Sequence, residues 1–343
     1  MKILFFTIIL FLLGNKASNA QQQDASPAGV MISHAHPKGG WMFNYSFMHM
    51  NMGGNFKGNE KISNEEIFNS YLMAGTSMKM DMHMLMAMHG ITGRFTIMVM
   101  ANYVSNSMDM TMYEGAIGAH NHSGSDVAQP QENMTMNTSG ISDTKIHGIY
   151  KLMNGEQSSL VASLGVNVPT GNYKISGNPC SSTPNERYPY MMQTGTGSVD
   201  FSPGFTYLSA GNKFNWSSQL IGTLRPFKND IGYHYGSELY LNCWGGYKIK
   251  RFASTSLRLE AITTAGMSGK DATLPMTNEP SSDYKNYGGQ KINSYLGVNF
   301  FLNKGFLKES KFAVEYGIPV YQNYNGIQQG LKGIVVAGVT VSL

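Results

Sequence analysis

The sequence predicts an all-β fold: a transmembrane, antiparallel up-and-down β-barrel of about twelve strands. Three observations lead there. Strand-like segments recur at 39–52, 78–89, 93–104, 141–153, 157–168, 196–209, 213–225, 232–249, 253–266, 289–302, 310–321 and 331–343. Most are roughly 9–14 residues long, the length a tilted membrane strand needs. The connections alternate between long (53–77, 105–140, 169–195) and short (90–92, 154–156, 210–212) through the first half of the chain. A closed barrel has this pattern, with tight turns on the periplasmic side and extended loops outside. Finally, charged residues are only 13% of the chain, about half the share in a soluble globular protein.

Residues 1–20 read as a secretory signal. Lys2 precedes an apolar run from Ile3 to Leu13, and small and polar residues follow to Ala20. That run is too short to span a bilayer, and no later run reaches about 18 apolar residues. Residues 21–38 are expected to form a periplasmic N-terminal segment and 39–343 the barrel, placed in a Gram-negative outer membrane after Sec-dependent export. An even strand count puts both chain ends on the periplasmic side. Barrel assembly machinery and outer-membrane lipid are the partners this implies. The net charge of +4 is too weak to suggest nucleic acid. Cys180 and Cys243 are too few and too far apart for a disulfide framework.

Within the strands, side chains alternate between faces with a period of two. In 39–52 one face carries Trp41, Phe43, Tyr45 and Phe47; the other carries Met42, Asn44, Ser46, Met48, Met50 and Met52. In 93–104, Phe95, Ile97, Val99 and Tyr103 oppose Thr96, Met98, Met100 and Asn102. In 78–89 six methionines, Met78 to Met88, occupy every second position. A helix would scatter them; a strand collects them on one face. Turn parity sets which face. A three-residue turn at 90–92, the favoured reading, pairs Met86 with Thr96 and puts Met84 and Met86 on the face of Met98, toward the lumen; a two-residue turn at Ile91-Thr92 pairs Met88 with Phe95 instead and turns Asp81 and His83 inward. Residues 64–72 are expected to make a turn or two of helix. The segments around Met108–Met112 and Met134–Met136 look like polar loops in which packing does not explain methionine.

Twenty-one of the 25 methionines and eight of the nine histidines lie in residues 1–153. Thioethers favour Cu(I), and imidazole suits copper, zinc and nickel. The candidate metal-contacting residues are therefore Met48, His49, Met50, Met52, Met82, His83, Met84, Met86, Met98 and Met100, with Met42 on the same wall. The pairs His34/His36 and His120/His122 fall on opposite sides of the barrel, suited to capture and release. No cofactor is required; copper, as Cu(I) or Cu(II), is the candidate ion. The bland alternative is that methionine serves as a flexible apolar filler. No enzyme is expected. His234 and Ser237 stand three apart, on opposite faces of a strand, so they are not a nucleophile–base pair there. No nucleophile elbow, zinc-protease motif or nucleotide fingerprint is present.

The segment Leu164-Gly165-Val166-Asn167-Val168-Pro169-Thr170-Gly171 resembles the strand and Pro-Thr-Gly signature of the phenol-degradation meta-pathway outer-membrane family. That family is distantly similar to the FadL fatty-acid channels, and the closing strand Gly333–Leu343 is similar as well. The resemblance covers about 141–343 and implies a barrel with a transport role. Met48-His49-Met50-Asn51-Met52 and Met80-Asp81-Met82-His83-Met84 resemble, in composition, the Met-rich segments of outer-membrane copper-resistance proteins. The leading expectation is an outer-membrane channel or binding barrel for soft transition-metal ions, probed by Met and His on the lumen wall and loops. The alternative is a FadL-like channel for small hydrophobic or aromatic compounds, and a second is a structural or adhesive barrel.

Overall fold

Alternation of this kind specifies a sheet with two unlike faces, and only closure removes its edges. The computed structural model describes residues 26–112, 133–155, 157–177, 185–209, 211–302 and 310–343. Its strands in chain order are β1 (Trp41–Gly58), β2 (Glu60–Ile62), β3 (Met73–Gly90), β4 (Phe95–Met112), β5 (Asn133–Ile141), β6 (Thr144–Asn154), β7 (Ser158–Val168), β8 (Ser176–Gly177), β9 (Glu186–Arg187), β10 (Asp200–Ser209), β11 (Phe214–Thr223), β12 (Glu238–Lys250), β13 (Ala253–Thr264), β14 (Gly289–Leu302) and β15 (Ser310–Ser342). One short helix, α1 (Asn64–Phe68), follows β2. Ser63 caps it by accepting from the Glu66 amide, and Glu65 and Glu66 sit in its first turn, where the helix dipole favours acids.

Eleven strand elements form a ring in the order β15-β14-β13-β12-β11-β10-β7-β6-β4-β3-β1, and β1 pairs back onto β15. Every pairing in the ring is antiparallel. Such a ring closes only with an even number of staves, so one element must reverse. β15 does. Its first limb pairs β14 from Ser310 to Tyr324, and its second pairs β1 from Tyr324 to Ser342. The Gln322 amide bonds both the amide and the carbonyl of Leu331 across the reversal. The wall therefore has twelve staves, and the two limbs match the separate strands expected at 310–321 and 331–343.

Three features differ from the sequence reading. β1, β3 and β4 each run 18 residues, well into the expected long loops, and β5 was not expected at all. Met108, Met110, Met112, Met134 and Met136 are strand residues buried to 8% exposure or less, so packing does account for them. Polar partners such as Asp109 and Thr135 hide the alternation because they occupy only the outer phase. The strand expected from residue 232 begins at Glu238; residues before it form a loop, with His234 bridged to Ser268. The β3–β4 turn occupies residues 91–94, and Met86 pairs with Met100 rather than Thr96. That shift of four positions preserves parity, so Met84, Met86 and Met98 share the inner face.

The outer surface is a band of exposed apolar side chains, including Trp41, Phe43, Leu85, Ile97, Val99, Leu164, Leu257, Leu296, Phe300, Tyr316 and Ile318. A patch this continuous is suited to lipid, not water. No helix among the described residues is long and apolar enough to cross a membrane. Cys243 is exposed and free; Cys180 and the signal segment lie outside the described residues.

Candidate functional site: a lumen with two unlike walls

The inner phases of β1, β3 and β4 stack into cross-strand rows. Met42 pairs Met88, Met88 pairs Met98, and Met98 pairs His147. Met48 pairs Met82, and Met50 pairs Met80. Met52, Met78, Met108 and Met136 form one row across four strands. Met84, Met86, Met98 and Met100 are buried, and Met48, Met50 and Met52 are half-buried beside Leu331, Ile334 and Val336. One side of the lumen is thus a methionine wall.

The opposite side, from β10 to β15, carries charge. Arg258 is 2% exposed and lies between Glu315 (3.1 Å) and Glu260 (3.0 Å). It also donates to Asn242 and sits 3.7 Å over the Tyr295 ring. Arg225 bridges Asp200 and Glu238, each at 3.3 Å. Burying these charges is tolerated because each is paired and hydrogen-bonded. The sequence does hold a signal for this wall: Glu238, Tyr240 and Asn242, and Arg258 and Glu260, recur at a spacing of two between apolar residues.

The short-turn end of the lumen is filled by the chain's own start. Thr96 accepts from the His36 amide, Gln219 and Thr206 donate to the carbonyls of Met31 and Ile32, and Glu315 accepts from the Gly29 amide at 2.6 Å. Ile32 is held at φ 58°, a left-handed conformation that a β-branched residue rarely adopts; the bonds to its carbonyl hold it there. A Cβ at Gly29 would lie 2.4 Å from the Arg258 guanidinium, so only glycine fits this close approach. The long-loop end is capped by loops. Tyr190, Tyr233, Met267 and Leu274 make a buried cluster. Tyr235 donates to the Tyr190 carbonyl, and Tyr287 accepts from the Met191 amide. Burial pushes the Tyr233 phenol up to about 12.

Two cavities lie between these walls. The first, about 370 Å³, is lined by Met48, Met50, Met52, Leu331, Ile334 and Val336 on one side and Arg258, Glu260, Asn293 and Tyr295 on the other. Gly29 of the N-terminal segment and Glu279 and Pro280 of the cap also line it. The second, about 390 Å³, shares Met50, Met52, Met191, Tyr287 and Lys291 with the first and adds Met78, Met80, Arg225 and Glu238. Glu279 is 2% exposed. Burial, with Glu186 nearby, pushes its carboxyl up to about 8.

The structure does not bring the strand imidazoles singled out from the sequence, His49 and His83, to the thioethers; the imidazole that pairs with a methionine is that of His147, opposite Met98. Met48, Met50, Met52, Met82, Met84, Met86, Met98 and Met100 belong to the inner phase, whereas His49 and His83 belong to the outer. His49 pairs with Asp81 at 2.6 Å, and His83 hydrogen-bonds Tyr45. The period of two enforces this: residues adjacent in sequence cannot share a face. His34 and His36 lie in the N-terminal segment with ring centroids 4.7 Å apart. His120 and His122 lie outside the described residues. Among the described residues no group of three or more His, Cys, Asp or Glu is placed to hold a metal.

A family model described as a putative MetA pathway of phenol degradation matches residues 90–273, more than half of the chain. The chain belongs to this family. No curated protein matches the sequence. Among solved structures, an outer-membrane channel of Pseudomonas putida F1, assigned to COG4313, is similar with a TM-score of 0.59 at 13% identity, covering 93% of this chain and 100% of that one. A FadL homologue of Pseudomonas aeruginosa gives 0.40 at 10% identity, covering 88% and 89%. The Pseudomonas putida toluene transporter TodX gives 0.43 at 8% identity, covering 90% of each chain. The first of these supports the fold: a closed barrel of the outer-membrane channel type.

Proposed function

We propose that this protein is an outer-membrane channel that binds and passes small hydrophobic molecules, chiefly aromatic ones, and is not an enzyme. The observation that supports this most is the first cavity, enclosed between the methionine wall and the cap. Its volume of about 370 Å³ exceeds the roughly 150 Å³ that suffices to bind benzene in an apolar protein cavity. Methionine is flexible and polarizable, and it makes favourable sulfur–aromatic contacts. A wall of it adapts to ring-shaped ligands of differing substitution. The charged wall supplies a few placed polar groups, as ligand pockets do. The family's description, which concerns phenol degradation, agrees with an aromatic cargo.

The test is uptake of isotope-labelled toluene by cells that express the protein, compared with a strain lacking it. Expression of the normal chain should raise the initial rate. Met48→Ala/Met50→Ala/Met52→Ala should return it toward the deletion level while the folded barrel persists. An uptake rate identical in all three strains would overturn the reading.

A further inference from the structure

One row of the methionine wall is methionine throughout, although other apolar side chains would also fill its volume. Met52, Met78, Met108 and Met136 stand side by side on β1, β3, β4 and β5. Neighbouring strands lie about 4.8 Å apart, so Met108 has a thioether within reach on each side. Met78, Met108 and Met136 are exposed by 0%, 1% and 2%. Every buried member of the cluster around them is a methionine, with Met73, Met110, Met112, Met134 and Met192 completing it. Farther along the same lumen, apolar packing is done by Leu331, Ile334 and Val336. Leucine would fill the volume at Met108 as well; what it lacks is a donor atom.

A second observation is independent of the sulfurs. Asn106 pairs with Met80 and Thr138 in the adjacent row and shares the inner phase with Met108. It is 1% exposed, and its Oδ1 is buried without a hydrogen-bond partner. A buried acceptor left unpaired costs about 1–3 kcal/mol, so it marks a place where a donor or a cation is wanted. The row is reachable, since Met78 lines the second cavity and Met108 the first.

We propose that Met78, Met108 and Met136 form a binding site for a soft monovalent cation, Cu(I), with the Asn106 carboxamide oxygen beside it. Uncharged thioethers select Cu(I) over harder ions such as Zn(II) or Mg(II). Histidine takes no part: His49 is on the outer face. The site borders the first cavity at Met108, but metal binding is read out without any measurement of aromatic uptake.

The experiment uses the full chain in detergent, with Ag(I) as a redox-stable probe and Cu(I) under reductant, measured by equilibrium dialysis and metal analysis. The expected result is one equivalent of Ag(I) bound at micromolar concentration, with Zn(II) ignored and sulfur in the first shell by X-ray absorption. Met78→Leu/Met108→Leu/Met136→Leu should weaken binding at least 100-fold, while Met86→Leu/Met100→Leu leaves it intact. If the triple variant fails to assemble, Met108→Leu alone should weaken binding at least tenfold. No bound Ag(I), or affinity unchanged in the triple or the Met108→Leu variant, would overturn the proposal.

Discussion

The methionine wall and the charged wall enclose the same lumen, yet their tolerance of change differs. In the methionine wall the contacts are non-directional: each side chain fills space against several others, and a neighbour of similar volume can replace it. In the charged wall the contacts are directional and mutual. Arg258 is held by Glu315, Glu260, Asn242 and Tyr295 together, and none of these is spare. One wall is adaptable and the other is specified, which is what a pocket needs if it is to accept varied rings but keep a fixed shape.

The largest expected effect follows from breaking the specified side. Glu315→Leu leaves a buried guanidinium short of a partner and should cost about 3–5 kcal/mol, read as a lower midpoint for unfolding in urea. Adding Arg258→Leu should recover most of that loss; no recovery would mean the wall is held by something other than charge pairing. On the adaptable side, Met98→Ala opens a cavity at a fully buried position and should cost about 2–5 kcal/mol. Met98→Leu should cost less than about 1.5 kcal/mol, and a leucine variant as damaging as the alanine one would refute the contrast.

A smaller effect is set by pH. The Glu279 carboxyl in the cap is raised from 4.5 to about 8 by burial, so the folded cap holds a proton that the unfolded loop releases. Stability from the neutral form is complete below about 4.5 and is lost as pH rises toward 8. Hydrogen exchange in residues 267–288 should therefore quicken over that window beyond its intrinsic rise, and Glu279→Gln should flatten the excess. The smallest change belongs to the outer surface. The His49–Asp81 pair is more than a third exposed, so His49→Ala should shift stability by less than about 1 kcal/mol.

Much of the barrel was legible because a period of two survives in any single sequence. Trp41, Phe43 and Tyr45 against Met42, Asn44 and Ser46 sufficed to orient β1, and turn parity oriented β3 although the register itself was off. The extensions of β1, β3 and β4 were less legible. There Ser77 and Asp109 pair in the outer phase, with Thr135 of β5 beside them, and a polar outer phase reads as loop. His49 and His83 were grouped with the methionines on composition, and composition does not say which face a residue takes; both stand on the outer face, against Asp81 and Tyr45. The N-terminal segment gave no periodic signal, because its place depends on side chains far along the chain such as Thr206 and Gln219. Arg258 and Glu260 could have been found, since charges spaced by two inside an apolar strand have to point away from lipid.

The hydrogen bonds that tie residues 29–36 to four different staves bear on throughput. A solute crossing from one end to the other has to trade places with tethered polypeptide, so its rate is governed by an unlatching event rather than by bore width. Single-molecule current through such a cylinder would come in discrete bursts with a steep temperature dependence, unlike the steady conductance of an open pore.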